Sequence, residues 1–204
     1  MESISTGSHA PAEAWNIQLK AKAGYEDPGI RGQLLEWISK GVDEVYKSAR
    51  SPKKRPIIAV PFSPLEADWA RFEGRIVYSH ALDTIFVTRT CLDKLSALPT
   101  VGEIDIFKDD TKEAYLQGTL EHVVVLMGVE EGDHSLYWNE QPPNQNREGE
   151  NHGTSLAEYD SQPIEFRSLE RQLEIAMNLG MPDSTLQILR ERAINARRIM
   201  EALS

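Results

Sequence analysis

Apolar residues recur at Ile30, Leu34, Ile38 and Val42, and Val45 and Tyr46 continue the stripe while Leu35 and Trp37 widen it. Steps of three and four predict an amphipathic helix from about Pro28 to Ala49. Asp27 offers a cap, Pro28 suits the first helical position, and Ser51-Pro52 ends the element. The other end of the chain carries a second such pattern. Ser168 to Leu179 reads as a helix stopped by Gly180, and Pro182-Asp183-Ser184 starts another, with Ser184 and Gln187 spaced as a capping box. Leu186, Leu189, Ala193, Ala196, Met200 and Leu203 then form a heptad-like seam. Residues 168–203 are expected to form a helical hairpin packed on the domain, or on a second copy of the chain.

Between these ends the period shortens. Ile57–Val60, Arg75–Tyr78 and Thr84–Thr88 are short runs rich in β-branched and aromatic residues, bounded by Pro or by polar turns, and read as strands. Trp15 to Lys20 alternates like a short edge strand, Leu65 to Phe72 can make two helical turns, and Cys91 to Leu98 a brief helix. Val101 to Phe107 alternates again, and Tyr115 to Leu120 leads into the longest apolar run, His122 to Val129. Val123–Met127 has no polar face, which predicts a central strand covered on both sides, paired with its neighbour as a hairpin. Leu136–Trp138 offers one more strand. The expected fold is a single α+β domain over residues 15–204, with a mixed or mostly antiparallel sheet of about five strands. Residues 1–14 are expected to form a flexible arm, and residues 139–162, rich in Pro, Asn and Gly, a long acidic and polar loop.

Charge changes this picture. The net charge is −10 over 204 residues, which disfavours nucleic acid as a partner because phosphate binding needs clustered cations. Acid is also concentrated: 15 Asp and Glu between Glu103 and Glu165 face only Lys108, Lys112 and Arg147. Arg190 and Arg197, seven apart on the last helix, could serve as counter-charge. The single cysteine, Cys91, excludes an intramolecular disulfide and reads as a small buried hydrophobe. With no long apolar run and no secretion signal, a cytoplasmic protein without a membrane span is expected.

Candidate chemistry gathers in the acidic half. Asp133, His134, Glu150 and His152 could converge on a divalent ion, while His122 falls at the far end of the expected strand. Ser79, His80 and Asp83 lie within five residues, whereas catalytic triads are assembled from distant segments. The strand Gly102-Glu103-Ile104-Asp105-Ile106 is similar, over about six residues, to the first half of the PD-(D/E)XK nuclease site. That resemblance implies Mg²⁺ held by Glu103 and Asp105, but the following strand lacks the acid-x-Lys that completes the site. No Gly-rich phosphate cradle or nucleophile elbow is present.

The leading expectation is a non-enzymatic interaction protein without a cofactor: a regulator, inhibitor, immunity-type factor or adaptor. It would present Glu130, Glu131 and Asp133, with Tyr137 and Trp138 as anchors, to a basic protein partner; the C-terminal helix could also pair two copies. The alternative is a metal-dependent hydrolase, acting on phosphodiesters through Glu103 and Asp105 or through the His134/His152 group.

Overall fold

A computed structural model describes residues 29–51, 53–60, 76–107, 114–140 and 156–203. The fold is α+β. Its described elements are α1 (Ile30–Ser48), β1 (Ile57–Ala59), β2 (Ile76–Ser79), β3 (Thr84–Val87), α2 (Arg89–Ser96), β4 (Ile104–Phe107), β5 (Ala114–Gly118), α3 (Leu120–Glu140), α4 (Leu156–Asp160), α5 (Pro163–Asn178) and α6 (Asp183–Ala202). The expected N-terminal arm at 1–14, the strand at Trp15–Lys20, the helix start at Asp27–Pro28, the short helix at Leu65–Phe72 and most of the 139–162 loop lie outside the described residues.

The largest correction concerns the centre. Val123–Met127 is not a strand but the first half of the 21-residue helix α3, which also absorbs Leu136–Trp138. The helix is started by Thr119, whose side-chain oxygen accepts the His122 N–H at 3.4 Å and whose carbonyl accepts the Val123 N–H at 3.0 Å. Glu121 adds a negative charge in the first turn, where the helix dipole favours it. Val123, Val124, Val125 and Leu126 are all at most 1% exposed. A helix buried on every side carries no polar stripe, so its apolar run looks like that of a buried strand.

With that strand removed, the five strands do not form one sheet. β1 pairs with β3 in parallel and β2 pairs with β3 antiparallel, giving the order β1-β3-β2, while β4 and β5 form a separate antiparallel hairpin. The strand runs themselves match the sequence pattern closely. Cys91 lies buried in α2, and burial pushes its thiol up to about 12 despite the opposing charge of Lys94. It is therefore a small hydrophobe rather than a nucleophile.

The long N-terminal helix forms as expected and crosses α3 at very close range. A Cβ placed on Gly41 would lie 2.1 Å from the Val125 carbonyl oxygen, and one on Gly128 would lie 2.3 Å from that of Ile38. The helices therefore touch backbone to backbone. Tyr46 and Ser135 share a buried hydroxyl–hydroxyl hydrogen bond of 2.9 Å on the same side of α3.

The C-terminal hairpin also forms, with α5 beginning five residues earlier than the sequence suggests. Its stop is a paired cap: Gly180 adopts φ +64°, Met181 N–H reaches the Ala176 carbonyl, and Gly180 N–H reaches that of Met177. The expected capping box does not form, because Ser184 Oγ donates to Glu103 at 2.9 Å and Gln187 turns to Glu191. Leu186, Leu189 and Ala196 are buried against the rest of the chain, whereas Leu203 is exposed. Arg192 locks α6 to α4 with a two-pronged ion pair, Nε to Asp160 Oδ2 at 2.8 Å and Nη2 to Oδ1 at 2.7 Å.

Candidate metal centre

Because α3 is buried all round, its successive residues meet different neighbours. Gly128, Gly132 and Ser135 face α1. Glu131 turns toward the sheet, where its Oε2 accepts the Tyr78 N–H of β2 at 2.7 Å. Glu130 and Asp133 face α5. Gln172 Nε2 of α5 donates to Glu130 Oε2 at 3.1 Å and to the Leu126 carbonyl at 3.3 Å. Arg167 Nε lies 3.1 Å from Asp133 Oδ2, and Arg171 Nε 3.5 Å from Asp133 Oδ1. Burial raises the Asp133 carboxyl above the usual carboxylate range, and the two guanidiniums oppose that shift. This ion group clamps α3 to α5 immediately beside the site.

His134 stands between two acids. Its Nδ1 is 3.6 Å from Glu131 Oε2, and its Nε2 is 3.3 Å from Glu165 Oε2 on α5. Burial alone would lower the imidazole's proton affinity, but Glu165 and Glu131 outweigh it and hold the group well above its ordinary value. Although His134 Nε2 is enclosed, it makes no well-aligned hydrogen bond among the described residues.

Glu130, His134 and Glu165 each bring a ligand atom within 4.8 Å of the others. A tetrahedral ion with bonds near 2.1 Å needs donor atoms about 3.4 Å apart, so side-chain shifts of up to about 1.4 Å would close the set. Two further polar groups share the α5 face that carries Glu165. Ser168 Oγ and Gln172 Oε1 are buried without a hydrogen-bond partner among the described residues, and both side chains belong to residues 1% exposed. Since Gln172 is hydrogen-bonded to Glu130, its amide is directed into the same group. Buried polar atoms are ordinarily satisfied, and these two add uncommitted acceptor capacity on the helix face that carries Glu165.

The sequence-derived candidates divide. Glu130, Glu131 and Asp133 come together, but inside the protein, at 7%, 8% and 0% exposure; they do not form the exposed acidic face expected of them. The reason is the helix: one turn of α3 directs them at α5 and β2 instead of alternating them about a strand. Tyr137 and Trp138 are partly buried, with the Arg167 guanidinium 5.7 Å from the Tyr137 ring centroid and Trp138 beside His80. His134 joins the cluster, whereas Glu150 and His152 lie outside the described residues. Glu103 is exposed and hydrogen-bonded to Ser184, while Asp105 sits on β4 opposite Gln117. The strand after β4 is β5, Ala-Tyr-Leu-Gln-Gly, which likewise lacks an acid-x-Lys. His122 belongs to the first turn of α3, and Asp83 accepts the Tyr78 hydroxyl at 2.9 Å, so its carboxylate serves Tyr78.

Glu165, Ser168 and Gln172 were not anticipated from the sequence. One signal for the site was available: Glu130 and His134 are four apart, which on a helix places them about 6 Å apart on one face. Read as a strand, the same spacing separates them by about 13 Å. No protein family, curated protein or solved structure matches this chain.

Proposed function

We propose that the protein is a metal-dependent hydrolase whose ion is held by Glu130, His134 and Glu165. The observation that carries this reading is the convergence of those three ligand atoms from α3 and α5. Two ligands one turn apart on a helix, with a third from another helix, is a layout zinc hydrolases use, and there the residue after the first ligand is the water-activating glutamate. Glu131 occupies that position in sequence, but its carboxylate is turned to the Tyr78 N–H and to the Nδ1 edge of His134, where it orients the ring instead. Here a carboxylate replaces the first imidazole, making the donor set harder, so manganese or iron joins zinc as a fitting ion.

The ion would lower the proton affinity of a bound water and polarise the bond to be cut. His134 would bind through Nε2, with Glu131 near its Nδ1 fixing the ring orientation. The substrate class follows from charge. The segment around the site is strongly acidic, which opposes a phosphodiester and favours an uncharged amide or ester. This revises the phosphodiester expectation in favour of acyl chemistry.

Glu131→Gln should weaken metal binding about 10- to 100-fold, because Nδ1 of His134 loses its carboxylate neighbour. Hydrolysis of a fluorogenic amide and ester panel should stop on chelation and return with added zinc or manganese. Turnover that survives chelation would overturn the metal-dependent reading.

A further inference from the structure

Gln172 of α5 is 1% exposed, and its amide nitrogen donates to two oxygens of α3: Glu130 Oε2 at 3.1 Å and the Leu126 carbonyl at 3.3 Å. The amide has two hydrogens, so these two acceptors match its donor capacity. Turned end for end, it would set its own oxygen against both of them, so only one orientation is stable. The two contacts differ in stiffness. The Leu126 carbonyl belongs to the buried backbone of α3 and cannot rotate, whereas the Glu130 carboxylate ends a side chain with three rotatable torsions. Gln172 therefore ties a rotatable group to a fixed one. Glu165 and Gln172 are seven apart on α5, two turns along one face, so the face that supplies a ligand also supplies this tie.

We infer, on the reading of Glu130, His134 and Glu165 as ligands, that Gln172 is the positioning residue of the metal centre. It holds the Glu130 carboxylate in the orientation that meets His134 and Glu165. The residue type fits this role. Lysine or arginine at this position would place a positive charge where that of the ion belongs, and an acid would repel Glu130. Asparagine would fall one methylene short of both acceptors. Glutamine donates twice and carries no charge, so it orients a carboxylate without competing with a cation for it. Two ligand carboxylates and a neutral imidazole then match the charge of a divalent ion. Gln172 acts through Glu130 and needs no contact with the ion.

Cobalt(II) is the probe, because its visible absorption follows the number and arrangement of its ligands. In the chelator-stripped 204-residue chain, Gln172→Met keeps the length of the side chain without its donors. It should bind cobalt about 10- to 100-fold more weakly than wild type, and at saturating cobalt its absorption bands should differ from those of wild type. Gln172→Asn, which keeps the amide but shortens its reach, should weaken binding in the same direction. Leu169→Met, a packing change on the same helix, should leave the bands where wild type has them. Wild-type affinity and bands in Gln172→Met, or an equal band shift in Leu169→Met, would overturn the inference while leaving the three ligands in place. A wild-type chain that binds no cobalt would overturn the ligand reading itself, and this inference with it.

Discussion

Gly128→Ala is expected to destabilise the chain by about 3 kcal/mol or more, although alanine is the better helix former by about 1 kcal/mol. The sign is decided by the α1–α3 crossing. The new methyl would sit 2.3 Å from the Ile38 carbonyl oxygen and 3.0 Å from its Cα, and both neighbours are backbone. No rotamer change relieves that contact, so the helices must move apart, and the whole apolar interface loosens. Gly41→Ala meets the Val125 carbonyl and the Val129 nitrogen and should cost about as much. Because one separation relieves both clashes, the double variant should lose clearly less than the two single losses together. Gly132→Ala meets its nearest atom only at 3.2 Å, and should be near neutral. Urea denaturation of the four variants checks the ordering; equal effects at Gly128 and Gly132 would refute the close crossing.

The second large effect is pH-dependent metal affinity. The metal needs a neutral imidazole, but Glu165 and Glu131 hold the His134 proton affinity well above the ordinary histidine value, against the opposing effect of burial. Binding therefore expels one proton, and affinity for zinc or manganese should climb about tenfold per pH unit from pH 6 to 7.5. Metal-free protein behaves in the opposite sense. A folded-state value above the unfolded one contributes stability that is fully present below about pH 6.5 and is lost as pH rises through the folded value. Alkaline conditions should thus weaken the apo protein while strengthening metal binding, and His134→Gln should flatten both trends. Calorimetric titration at a series of pH values with buffers of different ionisation enthalpy reads the proton directly.

How much of this was legible in the sequence depends on how each segment is stabilised. α1 and the C-terminal hairpin have one wet face, so Leu34, Ile38 and Val42, or Leu186 and Leu189, trace their stripes directly. The strands were legible from β-branched runs, and Gly180 marked its helix end. The failure came at α3, where tertiary packing on all sides removes the period and three consecutive valines favour the strand reading. That single misassignment dispersed the site. It spread Glu130 and His134 along an extended chain, and it turned interior acids into an apparent acidic surface. Glu165 could not have been paired with them from sequence, because its approach is made by the α3–α5 packing.

The central claim is that Glu130, His134 and Glu165 hold a divalent ion. The direct measurement is calorimetric titration of the chelator-stripped 204-residue chain with zinc and with manganese at pH 7.5, beside His134→Ala and Glu165→Gln. One equivalent per chain is predicted, with affinity reduced at least about a hundredfold in each variant. A wild-type chain that binds neither ion stoichiometrically, or variants that bind as well as wild type, would contradict it.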